Sequence, residues 1–234
     1  MRPELYLRLR EKEGRLYSDD IVASLPLIPA EHRFAAEWRA RAKSASRLTR
    51  YLSARSGPLS ILELGCGNGW LSNLISKSGH SVLGVDQNRF ELQQAARVFQ
   101  RISHLSFFEA DIFSAPFIPA CFDVIILSSV LQYFQDAPGL ISVLFNYLRS
   151  TGEIHILDTP LYLDDELEMA SRRTEEYYLS LGFPEMKDHY FHHSAAALQV
   201  LHPRILYQPY SWTLRLKQLV GQDDSPFPWL VIKK

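Results

Sequence analysis

The sequence predicts a doubly wound α/β domain, a mostly parallel sheet with helices on both faces. Three observations carry that expectation. Short apolar runs of strand length alternate with helical patterns from residue 60 to residue 181, the order expected of a parallel sheet covered on both sides. The run Phe122–Ser128 is nearly all apolar, as a strand buried on both faces must be. A glycine-rich loop follows the first strand, at the end where open sheets of this kind bind ligands.

The chain of 234 residues is long enough for one large α/β domain and short for two. Hydrophobic residues at 47% can fill a sizeable core, so disorder is not expected. Residues 1–31, with Pro26 and Pro29, read as an irregular leader. Residues 32–55 read as a helix, with Phe34, Trp38, Ala42, Ala45, Leu48 and Leu52 on one face. Its other face carries Arg33, Arg41, Arg47, Arg50 and Arg55, a pattern that suits a solvated surface better than a lid or an anion contact. Gly57-Pro58 ends it.

Strands are expected over Ser60–Leu64, Ser81–Val85, Leu105–Ala110, Phe122–Ser128 and Glu153–Leu157. Helices are expected over Trp70–Ser78, from an Asn88 cap to Arg101, from Pro138 through Leu148, and over Asp164–Leu181. Gly79 and Gly182 supply two of the stops. The tail offers a short helix over Ser194–Leu201 and two strands, Ile205–Tyr210 and Trp229–Lys233. Its aromatics Tyr207, Tyr210, Trp212, Phe227 and Trp229 read as strand packing in preference to a substrate box.

Glu63-Leu64-Gly65-Cys66-Gly67-Asn68-Gly69 is the most informative stretch. Glycine lets the backbone turn tightly and lets a ligand lie against it. A dinucleotide fingerprint requires a third glycine at position 70, where Trp70 stands, and that argues against a nicotinamide-dependent oxidoreductase. A phosphate-cradling loop would end in Gly-Lys-Ser/Thr, and this one does not. Glu63 would repel phosphates and suits a ligand carrying an ammonium. Asp86 ends the second strand, where a carboxylate can accept from both hydroxyls of a ribose. Asp111 ends the third, where it can take a hydrogen bond from an adenine amine or cap its own turn. Three acids at three consecutive strand ends outline a ribose–adenine–amino acid ligand without phosphate.

These residues resemble the class I S-adenosylmethionine-dependent methyltransferases, in particular the small methyltransferase-domain group. The resemblance covers residues 58–162 well and the remainder loosely. It implies a Rossmann-like, seven-stranded sheet of order 3-2-1-4-5-7-6 with the seventh strand antiparallel, with residues 57–234 as the cofactor-binding domain and 1–56 as a leader and covering helix. It implies S-adenosylmethionine as cofactor and S-adenosylhomocysteine as product. Glu63, Gly65, Gly67 and Gly69 match the motif around the methionine part. Asp86 matches the ribose-holding acid, with Gln87 beside the adenine. Asp111 and Ile112 match the adenine contact, and Ser128 the residue facing the cofactor after the fourth strand.

The acceptor is less legible. Amino-methylating relatives carry Asn-Pro-Pro-aromatic after the fourth strand, and this chain has Ser128-Ser129-Val130-Leu131. Cytosine-C5 enzymes need a cysteine after that strand, and Cys121 precedes it. Metal-dependent catechol-type enzymes need an acid where Ser128 stands, and Asp158 alone makes no magnesium site. No metal is therefore expected. Catalytic candidates are Tyr133, beyond the fourth strand, and His189, His192 and His193 in a histidine-rich segment that otherwise reads as a polar loop capping the Ser194 helix. Adjacent His192 and His193 point apart on a regular backbone, against a shared metal.

Net charge of −1 gives no overall pull toward nucleic acid or anionic membrane. The expected acceptor is a small molecule; protein or RNA remains the alternative through the basic helix, and a silent cofactor-binding module is the other. Two cysteines without disulfide or metal spacing, no apolar leader run and no membrane-length apolar run suit a cytoplasmic protein.

Overall fold

The computed structural model describes residues 3–209 and 224–234. A seven-stranded sheet forms its centre. In chain order its strands are β1 (Ser60–Leu64), β2 (Ser81–Asp86), β3 (Leu105–Glu109), β4 (Phe122–Ser128), β5 (Leu148–Leu157), β8 (Arg204–Tyr207) and β9 (Trp229–Lys233). They lie in the order β3-β2-β1-β4-β5-β9-β8. The first five are parallel, and β9 runs antiparallel to both β5 and β8. This is the doubly wound class and the strand order that the resemblance implied. Two short strands, β6 (Leu161–Tyr162) and β7 (His193–Ser194), pair in a separate ribbon that the sequence patterns did not announce.

The helices are α1 (Pro3–Lys12), α2 (Asp19–Ser24), α3 (Ala35–Ser53), α4 (Trp70–Ser76), α5 (Arg89–Val98), α6 (Ala137–Tyr147), α7 (Leu167–Leu181) and α8 (Ala195–Gln199). Caps fix several starts. The Asn88 side chain accepts from the Phe90 and Glu91 N–H groups, Asp136 from Gly139, and Ser194 from Ala197, each cap worth about 1 kcal/mol.

The core divides across the sheet by the alternation of strand side chains. On β4, Ile125 and Leu127 join Leu140, Ile141 and Leu144 of α6 on one face. Val124 and Ile126 join Leu48 and Leu52 of α3 and Ile75 of α4 on the other. Because both faces are covered, β4 reads as a continuous apolar run.

Four expectations need correction. Residues 1–31 are not an irregular leader, because they contain α1 and α2. Leu5 and Leu9 of α1 pack with Tyr178, Phe183 and Met186, and Val22 of α2 is fully buried beside Leu25 and Trp38. The arginine face of α3 is not simply solvated. Arg47 forms two hydrogen bonds with Asp224, Arg55 meets the buried Glu153, and Arg41 reaches Ser129 beyond β4. The fifth strand begins at Leu148, earlier than Gly152 suggests, because Phe122 pairs with Leu148 before a register shift. The helix expected from Asp164 opens as a tight 3-10 turn, and α7 proper starts at Leu167. Tyr210 and Trp212 lie outside the described residues, as does the end of the strand expected to reach Tyr210. Among the described residues, no helix is long and apolar enough to cross a membrane.

Candidate active site

The loop after β1 turns the chain sharply into α4. Gly65, Gly67 and Gly69 all sit at positive φ, 74°, 51° and 75°, a region that costs other residues dearly. The N–H groups of Gly65 and Cys66 donate to the Val85 carbonyl at 2.7 and 3.1 Å, tying the loop to β2. A methyl at Gly65 would overlap the Val130 side chain. At Gly69 it would stand 2.5 Å from the Phe107 ring and 2.9 Å from Ala95. Gly69 thus lets α4 and α5 close on the sheet, whereas Gly65 and Gly67 line two adjoining cavities.

The first cavity has a volume of about 110 Å³ and is lined by residues from α1 and from the ends of β1, β2 and β4. Asp86 stands at its edge. Its two carboxylate oxygens accept from the Gly67 N–H at 2.9 Å and the Asn88 N–H at 2.8 Å. Burial pushes its carboxyl above the usual range, and the backbone donors pull against that. Gln87, Ala110, Ile112 and Phe134 complete a less polar wall. The Asp111 carboxylate closes its own turn, accepting from the Phe113 N–H at 3.0 Å. It borders a hollow on the far side of Phe134, together with His189.

The second cavity is polar and shares Tyr6, Gly65, Gly67, Ser129 and Tyr133 with the first. Glu63 is only 3% exposed and accepts a hydrogen bond from the Ser72 hydroxyl. Burial, reinforced by the Asp86 charge, pushes its carboxyl up to about 8 against that bond. Burial and Asp86 likewise push Glu91 up to about 7, although it accepts from the Asn88 amide at 2.9 Å. Two buried carboxyl groups stand at the floor of this cavity, and Arg10, Arg15 and Arg41 share its lining, so a ligand seated there meets charges of both signs. Ser128 also lines this cavity, and its hydroxyl donates to Asp158 at 3.4 Å. Asp158 accepts in addition from Ser44 at 2.7 Å and Ser225 at 3.3 Å, joining β4, β5, α3 and the C-terminal segment beneath the site.

A model of the methyltransferase domain matches residues 56–209. The chain belongs to this family, the class I S-adenosylmethionine-dependent methyltransferases. It is 27% identical over 109 residues, 47% of its length, to a protein of Mycolicibacterium smegmatis described as a probable S-adenosylmethionine-dependent methyltransferase. The match spans only 41% of that protein, and the chain spans about two fifths of the curated relatives it matches. Among solved structures, the YcgJ protein from Bacillus subtilis superposes with a TM-score of 0.60 at 16% identity, covering 82% of this chain and 95% of that one. The plantazolicin methyltransferase BpumL, solved with a pentazolic desmethylplantazolicin analogue and S-adenosylhomocysteine, superposes with a TM-score of 0.56 at 19% identity. Coverage there is 97% of this chain and 99% of that one. At such identities the two structures establish the shared fold.

Several residues that line these cavities escape a sequence reading. Tyr6 and Arg10 come from α1, Arg15 from the connection between α1 and α2, and Glu37 and Arg41 from α3. Arg15 grips Glu37 with two hydrogen bonds of 2.9 and 2.8 Å, and Arg41 adds a third at 3.1 Å. Nothing local in the sequence marks these. Glu91 did carry a signal, standing three residues after the Asn88 cap. Ser129 and Asp158 hold positive φ, 57° and 51°, placing strained backbone at the ends of β4 and β5 beside the cavities.

The four catalytic candidates separate in space. Tyr133 lines both cavities and meets Tyr6 and Tyr190 edge-on at 5.6 and 5.9 Å. Burial raises its pKa, so the phenol stays protonated. His193 is buried, its Nε2 held 3.1 Å from the Leu131 carbonyl. His192 bonds Thr174 at 2.9 Å. Burial lowers both imidazoles, leaving them neutral near pH 7. His189 sits in the hollow with Asp111. The three histidines therefore do not converge on one point.

Proposed function

We propose that this chain transfers the methyl group of S-adenosylmethionine to a small-molecule acceptor. The Asp86 carboxylate carries the reading. It is fixed by two backbone N–H groups at the carboxyl end of β2, where it lines the first, less polar cavity. Family membership supports the activity. In this reading Asp86 accepts from the ribose hydroxyls. Gln87, Ile112 and the chain beside Asp111 flank the adenine. Gly65 and Gly67 lie under the methionine part, Gly69 keeps their loop in place, and Glu63 balances the ammonium. Ser128 borders that end of the site.

The bound cofactor supplies a methyl group on an electron-poor sulfur. The protein's part is to align the acceptor and exclude water, and positioning alone can remove ~7–11 kcal/mol of barrier. Tyr133, at the junction of the cavities, orients the acceptor as a hydrogen-bond donor. Residues 1–56 act as a cover over the cofactor domain of 57–234. The two thiols, Cys66 and Cys121, are free, which supports a reducing compartment such as the cytoplasm.

The test is a thermal-shift titration with S-adenosylmethionine, S-adenosylhomocysteine and NAD, followed by an assay for S-adenosylhomocysteine release with pooled small metabolites. Ligand at about 100 times its dissociation constant adds ~2.7 kcal/mol of stability. The first two ligands should stabilise the protein and NAD should not. Stabilisation by NAD alone would sink the cofactor reading. Cofactor binding with no turnover on any small-molecule, protein or RNA pool would make the chain a binding module.

A further inference from the structure

Behind the second cavity, on the side away from β2, a third polar cavity opens between α1, α3 and α7. It shares Arg10, Arg15, Glu37, Arg41 and Tyr133 with the second, so the two communicate around Tyr133. Its charges do not balance. Arg10, Arg15, Arg41 and Arg173 line it, and the only carboxylates among its described lining residues are Glu13 and Glu37. Those two acids are already shared. Glu13 meets Arg10 at 3.2 Å and Arg15 at 3.5 Å, and Glu37 meets Arg15 at 2.8 Å and Arg41 at 3.1 Å. Three arginines therefore divide two acids, and Arg173 has no ion-pair partner among the described residues.

Two buried polar atoms along the same wall lack a hydrogen-bond partner, Nε of Arg10 and Oε1 of Gln132. Gln132 is only 5% exposed, and its amide nitrogen is already used, donating to the Ser129 carbonyl at 2.7 Å. A buried acceptor and a buried donor without partners are costly, and native proteins keep few of them. A ligand hydroxyl or N–H that donates to Oε1 of Gln132 removes that atom's share of the cost. The remaining walls are flat. Tyr133, Tyr178 and Tyr190 line the cavity and follow one another edge to face, with ring centres 5.9 and 6.1 Å apart.

We propose that this cavity is the acceptor subsite and that it takes a small, planar organic acid carrying a hydroxyl or N–H group. The carboxylate lies between the guanidinium groups of Arg41 and Arg173, where a planar fork matches it. The hydroxyl or N–H donates to Oε1 of Gln132, and the unsaturated body lies against the tyrosines. The proposal rests on the methyltransferase reading above, since it assigns the acceptor of that same site.

The experiment uses the full chain saturated with S-adenosylhomocysteine and measures affinity by calorimetry for matched pairs of hydroxy- and amino-substituted benzoates and cinnamates and their primary amides. Acids should bind at least tenfold more tightly than the corresponding amides, with affinity falling as salt rises. Arg173→Gln should lose that preference while leaving the S-adenosylhomocysteine affinity unchanged, because Arg173 is exposed and touches neither cofactor cavity. Gln132→Leu should weaken hydroxy acids more than the parent benzoate and cinnamate. Equal binding of acids and amides, an unaltered preference in Arg173→Gln, or equally strong competition by inorganic phosphate would overturn the carboxylate assignment. Binding of S-adenosylhomocysteine with no binding of any acid would remove the acceptor assignment alone. Failure to bind S-adenosylhomocysteine at all would instead remove the methyltransferase reading beneath it.

Discussion

The two halves of the site are built by different means. The cofactor half is local and made largely of backbone. Gly65, Gly67 and Asp86 sit within two consecutive strand-to-helix connections, and the bond from Gly67 to Asp86 spans 19 residues. The acceptor half is made of long side chains from remote segments. Tyr177 reaches Glu13 across 164 residues, and Arg41 reaches Ser129 across 88. A backbone site can change little without losing the fold, because each of its donors is part of a turn. A site of long side chains on separate helices can be rebuilt one residue at a time.

The comparison can be broken at several points. The largest effect should come from Asp86→Ala. Charge-assisted hydrogen bonds contribute about 1.5–3 kcal/mol each, so affinity for S-adenosylmethionine should fall ~10²-fold or more by calorimetry. A loss under threefold would remove Asp86 from the site. Gly65→Ala should follow, since its φ of 74° and the overlap with Val130 both penalise a side chain. The left-handed backbone alone costs roughly 1–2 kcal/mol, and the melting temperature and the cofactor-induced shift should fall together. Tyr6→Ala tests whether a remote helix belongs to the cofactor half at all. Affinity should drop about tenfold, or 1.4 kcal/mol, with the fold intact by circular dichroism; unchanged affinity would confine the site to the central domain.

The smallest effect concerns pH. Glu63 and Glu91 have folded-state pKa values raised to about 8 and about 7 from an ordinary 4.5. A raised carboxyl binds its proton more tightly when folded, so its contribution to stability is full below about pH 4.5 and fades as pH rises through 7 to 8. The ligand-free protein should lose thermal stability over that interval, and Glu63→Gln should flatten the decline. A bound cation should oppose it, so cofactor affinity should increase with pH over the same range. A pH-independent affinity would separate Glu63 from the ammonium.

Most of the central domain was legible because its signals are local. The β4 run, the Asn88 cap and the glycine loop each act within a few residues of themselves, and their strands and helices fall where the patterns put them. The N-terminal region was not legible. Leu5 and Leu9 are one helical turn apart, but a ten-residue helix is marginal by itself, and α1 holds because it packs on Phe183 and Met186. For the same reason Tyr6 and Arg10 were invisible as site residues. The arginines of α3 read as a solvent face because their partners, Glu153 and Asp224, lie about 100 residues or more away in the chain.

The glycine loop also carries its own chemical reporter. Cys66 lies between Gly65 and Gly67, is 4% exposed, and has a thiol that burial pushes well above its usual range. Its sulfur is close enough to Gly84 that a methyl there would stand 2.9 Å from it. An alkylating reagent needs both access and thiolate, so Cys66 reacts only when the loop lifts from the sheet. Its labelling rate, read by mass spectrometry against the partly exposed Cys121 in the same molecule, measures how often that loop opens and how far a bound ligand keeps it shut.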